Sequence, residues 1–138
     1  MKKHGAVVLA LAAIVMVVAM PLFAQHAELM KINVPFNFVA ENQWMQAGEY
    51  TIQPIPNGAV LIRSADGKSV NTVLSLPAPL AATARASRVV FHRYGANYFL
   101  AQLWMQGQNT GREVLKGRKE SELARKGIPQ HLTSLAAR

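Results

Sequence analysis

Ile55-Pro56-Asn57-Gly58-Ala59-Val60-Leu61-Ile62-Arg63-Ser64-Ala65-Asp66-Gly67-Lys68-Ser69 sets an apolar run between two turn dipeptides. Asn57-Gly58 and Asp66-Gly67 both favour the positive φ angles of a type I′ turn, whose twist matches that of a hairpin. With apolar runs on either side, the dipeptides predict two successive hairpins and strands over Ala59 to Ser64 and Ser69 to Leu76. Gly58 and Gly67 are then structural positions, with Asn57 and Asp66 as their turn partners.

Working outward, the period stays at two. In Lys31 to Val39 the residues Ile32, Val34, Phe36 and Phe38 fall on one face, as a half-buried antiparallel strand requires. Glu41 to Ala47 reads as a loop. Glu49 to Ile55 reads as a strand with Tyr50 and Ile52 on one side, and Pro54 and Pro56 place it at an edge or end it early. Pro77 to Ala86, rich in Pro and Ala, reads as a linker or irregular crossover.

Two further strands, Arg88 to Tyr94 and Tyr98 to Met105, flank Gly95-Ala96-Asn97. With those three residues as the loop, Tyr94 faces Tyr98. Val89, Phe91, Phe99, Ala101 and Leu103 then form a core face, and His92, Tyr94, Tyr98, Leu100, Gln102 and Trp104 form the other. A slip of one residue would exchange the faces on one strand. Arg118 to Lys126 reads as a short helix with Gly117 as N-cap, Glu120 at its third position and Gly127 and Pro129 beyond its end. Glu122 and Lys126 are spaced as an i, i+4 pair. Residues 128–138 read as a loose tail.

The amino terminus has a different character. Lys2 and Lys3 precede an apolar run from Ala6 to Met20; Pro21 follows, and Ala24 offers a cleavage position before Gln25. This is the layout of a secretory signal over 1–24, with an uncleaved anchor as the rival. The expected organisation continues with a short segment 25–30, an antiparallel β-domain 31–110, a basic and acidic segment 111–127, and the tail.

Composition narrows the functional classes. The chain has 138 residues and no cysteine, which excludes disulfide scaffolds, thiol catalysis and cysteine-ligated zinc. Beyond the signal it is long enough for one domain of modest core. No Gly-rich phosphate loop, H-E-x-x-H segment or G-x-S-x-G elbow occurs. His26 and His131 lie near the ends of the mature chain and His92 stands in a strand, so a three-histidine metal site is not indicated. The sequence thus gives no catalytic residue, metal site or cofactor site.

Fifteen Lys and Arg oppose seven Asp and Glu, a net charge of +8. That balance suits an anionic envelope component, a polyanionic glycan or an acidic protein, with nucleic acid disfavoured for an exported chain. Membrane contact is expected only through the signal segment, if it stays uncleaved. The candidate ligand or partner face is His92, Tyr94, Tyr98 and Trp104, whose rings could stack on sugars or other planar groups. The competing reading is structural, since aromatic cross-strand pairs stabilise hairpins.

Val34-Pro35-Phe36-x-Phe38, Ala47-Gly48-Glu49-Tyr50-Thr51, Leu61-Ile62-Arg63-Ser64 and Phe91-His92-Arg93-Tyr94-Gly95-x-x-Tyr98-Phe99-Leu100 together resemble an uncharacterised family of small exported bacterial β-rich proteins. The resemblance spans about Ile32 to Leu123. It implies export to the periplasm or outside the cell and carries over no catalytic residue. Met45-Gln46 departs from the apolar residue and Pro that usually precede the Ala-Gly.

The expectation is a mainly β domain of about six antiparallel strands, a small barrel or sandwich, with a short carboxyl-terminal helix. Its expected function is that of a non-catalytic, envelope-associated binding module. The alternatives are a small-ligand carrier with a pocket between sheet and helix, and an enzyme.

Overall fold

Pro35 breaks the first alternating run. It has no amide hydrogen for a ladder, and the chain changes partners across it. The computed structural model describes Leu29 to Arg138, so the expected signal over 1–24 and most of the segment 25–30 lie outside the described residues. The strands are β1 (Met30–Val34), β2 (Phe38–Ala40), β3 (Gln43–Met45), β4 (Gly48–Pro54), β5 (Ala59–Ser64), β6 (Val70–Pro79), β7 (Arg88–Tyr94), β8 (Asn97–Trp104), β9 (Thr110–Val114) and β10 (Gln130–Ala136). The helix α1 (Arg118–Arg125) lies between the last two.

The ten strands form one sheet, with β1-β4-β5-β6-β9-β8 as its main path. Both β2 with β3 and β7 with β10 join it at β8. All pairs are antiparallel except β2 with β8, matched at Val39 and Phe99. The sheet is not closed into a barrel, and ten strands replace the expected six. The two ends approach where Lys31 and Arg138 exchange backbone hydrogen bonds of 2.8 and 2.9 Å.

The first hairpins follow the turn chemistry, with one correction. Asn57 and Gly58 both have positive φ, 71° and 78°, but Pro56 joins them in a short 3-10 turn. At the second turn Gly67 has φ 73° while Asp66 does not cross into positive φ, so the loop is not type I′. Asp66 instead accepts from Ser64 Oγ at 2.6 Å and from the Lys68 N–H at 2.9 Å, bracing the loop from inside.

β6 runs on through Pro77 and Pro79, where a linker was expected. The Leu74 carbonyl accepts from Leu115 and the Leu80 N–H donates to Asn109, so even-numbered residues turn their backbone toward β9. Pro77 and Pro79 therefore place their missing donors on the opposite edge, which β5 has left after pairing Ala59 with Leu74.

The tail is also ordered. All seven residues of β10 pair with β7, from Gln130 opposite Tyr94 to Ala136 opposite Arg88. An edge strand as apolar as β7 leaves a row of N–H and C=O groups that need partners, and β10 supplies them. The segment expected to be loose completes the sheet.

One core gathers Ile32, Val34, Phe38, Tyr50, Ile52, Ile62, Phe91, Leu100 and Leu103. Phe38 sits edge-on to Tyr50 at 5.3 Å and to Phe91 at 5.4 Å, which ties the β1–β4 half of the sheet to the β7–β8 half. The opposite face of β7 and β8 is covered in two places. Leu123 and Ile128 pack on Val39, Tyr94 and Phe99, while Leu80 and Ala84 pack near Val90 and Trp104.

The turn between β2 and β3 holds α1 in place. Glu41 has φ 57°, its carboxylate accepts from the Leu74 N–H at 3.4 Å, and Asn42 Oδ1 accepts from the Arg118 N–H at 3.0 Å. A Cβ on Gly117 would stand 1.8 Å from the Glu41 carbonyl oxygen, so only glycine allows this approach.

Candidate functional site

The turn between β7 and β8 determines where the expected aromatic face goes. It has two residues rather than three: Tyr94 pairs with Asn97, Arg93 with Tyr98 and His92 with Phe99. Gly95 takes the positive φ, 61°. A bulge between Val90 and Phe91 absorbs the one-residue difference, so Val90 still pairs with Gln102.

The four candidates therefore do not share a face. Tyr98 lies with the main core and stacks on Phe36 at 3.8 Å and 15°. His92, Tyr94 and Trp104 lie on the other face, in two separate settings. Leu100, expected beside Trp104, belongs to the core, and Phe99 takes its place on the covered side.

Trp104 is buried with Val90 and Ala84 and donates from Nε1 to Gln102 Oε1 at 3.2 Å. Its ring lies over Gly111, where a Cβ would come within 2.3 Å of a ring carbon, and the Arg88 guanidinium stands 5.6 Å from the ring centroid. At 5 % exposure, Trp104 offers no free ring face for a partner to stack on.

His92 and Tyr94 are covered by α1. Glu120, 3 % exposed, places Oε1 at 2.7 Å from His92 Nδ1 and 3.3 Å from the Tyr94 hydroxyl. Tyr94 also donates to Gln130 Oε1 at 2.8 Å, so β7, α1 and β10 meet in one polar cluster. Burial foremost, then the Glu120 charge and its hydrogen bond, push the Tyr94 phenol above its ordinary value. A His–Glu pair could exchange protons with a substrate, but neither residue lines the clefts beside Tyr50, of about 430 and 290 Å3. The arrangement latches α1 to the sheet.

This latch changes the surface charge. His92–Glu120 is the only contact within 4 Å between a basic and an acidic side chain among the described residues, so Glu122 and Lys126 do not pair. Glu120 is turned inward and Arg112 donates to Ser75 at 2.8 and 3.1 Å, so each leaves the exposed inventory. What remains at α1 is Arg118, Lys119, Arg125 and Lys126, all exposed, against Glu122. Arg118 and Lys119 stand in the first turn, where the helix dipole disfavours cations by about 0.3–1 kcal/mol each. Their placement opposes local stability.

Beside the start of α1, where β2 and the β7–β8 turn end together, lies an open cleft of about 200 Å3. Asn37, Trp44, Asn97, Tyr98 and Lys119 line it. Trp44 pairs with Val39 on the three-residue strand β3, and its side chain is 60 % exposed. By sequence this tryptophan falls in the expected loop Glu41 to Ala47 and is not among the candidates; in the structure it stands on β3. Its setting, Asn42-Gln43-Trp44-Met45-Gln46, was the available signal: a large aromatic among polar residues with no alternating partner. Lys119 and Asn37 carry no signal of their own, since the parallel pairing of β2 with β8 and the bond from the Arg118 N–H to Asn42 bring them together.

Comparison with protein-family models, curated proteins and solved structures finds no match to this chain.

Proposed function

We propose that the protein is an exported, envelope-associated binding module without catalytic activity, and that its partner is anionic. The observation that carries this reading is the inward turn of Glu120. It leaves four cations of α1 unpaired in solvent, two of them at the helix end where they cost stability. A fold selected for stability alone would place acids there. The signal-like amino terminus and the resemblance to small exported proteins support the address. The candidate acid–base residues His92 and Glu120 are consumed in holding α1, which favours binding over catalysis.

Retention of the mature protein on an immobilised polyanion tests the reading. Arg125→Glu with Lys126→Glu should shift elution to markedly lower salt, because each lost contact reduces the electrostatic part of the affinity. The thermal midpoint should fall only modestly: both side chains are exposed, and acids at the carboxyl end of the helix cost about 0.3–1 kcal/mol each. Elution at the same salt as the parent protein would contradict an anionic partner at α1.

A further inference from the structure

We infer that the cleft at Trp44 is a sugar subsite that takes one pyranose ring of an anionic glycan. This inference rests on the anionic-partner reading above and gives that partner a chemical class. A pyranose presents a flat, weakly apolar face and a rim of hydroxyl groups, each both donor and acceptor. The cleft offers the complement of both. Trp44 supplies the platform: the residue is 60 % exposed on the short strand β3. An exposed tryptophan contributes nothing to the core, and the fold does not need one there.

The rim is supplied by polar groups that the protein leaves unused. Asn37 Oδ1 accepts from the Ala47 N–H at 2.9 Å, so the amide is fixed while its NH2 group has no partner among the described residues. Asn97 donates to the Tyr94 carbonyl at 3.4 Å and keeps its Oδ1 unpaired. The Tyr98 ring is held by its stack on Phe36, and its hydroxyl likewise has no partner among the described residues. Asn37, Asn97 and Tyr98, which line one cleft, thus carry a donor, an acceptor and a hydroxyl with both capacities. Lys119, unpaired on the same cleft, selects a ring that carries a carboxylate. Because Lys119 stands in the first turn of α1, a chain leaving the subsite can continue along Arg118, Arg125 and Lys126.

Titration of the mature protein with trigalacturonate, and with maltotriose as the neutral counterpart, tests the inference. Trigalacturonate should bind more tightly than maltotriose. Trp44→Ala should weaken it by about tenfold or more, which corresponds to about 1.4 kcal/mol. Lys119→Gln should erase the preference for the acidic sugar while leaving the residual affinity for maltotriose. Both side chains are exposed, so both variants should fold, and their thermal midpoints verify it. Trp104→Phe, a change in a buried ring outside the cleft, should bind as the parent does.

Trigalacturonate binding that is absent, insensitive to Trp44→Ala, or equal to that of maltotriose overturns the subsite. If polyanion retention by α1 survives in that case, the sugar assignment alone has failed. If Trp44-dependent sugar binding survives while the α1 charge reversal leaves retention unchanged, the helix reading has failed instead.

Discussion

Glu120 shows most clearly what a single residue does in this molecule. By sequence it is a third-position acid at the start of a helix; in the structure it is buried against His92 and Tyr94. Glu120→Ala should cost about 2 kcal/mol, because it leaves the buried His92 Nδ1 without its partner while Tyr94 keeps its bond to Gln130. The urea midpoint of the variant measures this. Tyr94 makes a second prediction. Its phenol is held above the ordinary value by burial and by Glu120, and Tyr50 is raised by burial and by Asp66. A raised phenol binds its proton more tightly folded than unfolded, so its stabilising contribution is complete below about pH 10 and is lost as pH rises through the folded value. Phenolate absorbance should show two late-ionising tyrosines, and Tyr94→Phe should remove one of them.

Elements differ in how far the sequence reveals them. β5 and β7 have the bounds that periodicity predicts, since each is flanked by turn residues and fills the core with alternate side chains. β10 does not announce itself. Among its residues Leu135 is the one large side chain that packs against the core, so no alternation can be read, and its strand state comes from the backbone groups of β7. Hydrogen exchange checks that pairing. The Ala137 N–H bonds to Ser87, so His131, Thr133 and Leu135 share its orientation toward β7 and should be protected. Gln130, Leu132 and Ser134 face the open edge and should exchange fast. Uniformly fast exchange would return this segment to a loose tail. The helix α1 makes a prediction of its own at this scale. Arg118→Glu replaces a cation that opposes the dipole and should stabilise the protein by about 0.5 kcal/mol. The same variant should elute from the polyanion at lower salt. Improved stability with impaired binding is the signature expected of a residue kept for its partner.

At the scale of the whole molecule, the β-rich class was legible because hairpins are local, while the strand count and the sheet path were not. The path depends on where Pro35 moves the chain between partners and on how β8 shares its edges among β2, β7 and β9. The candidate site was illegible for the same reason. One residue fewer in the turn at Gly95 sends Tyr98 to the core side, and the parallel contact of β2 with β8 assembles a cleft from Asn37, Trp44, Asn97 and Lys119, distant in sequence. Of the two tryptophans, Trp104 is internal, and the exposed Trp44 is the one proposed to meet the partner. The chain has only these two tryptophans, so their indole N–H signals in a two-dimensional nitrogen–proton spectrum separate the readings directly. On addition of trigalacturonate the Trp44 signal should move progressively while the Trp104 signal, bonded to Gln102, stays in place. Movement of Trp104 with Trp44 unaffected would contradict the account.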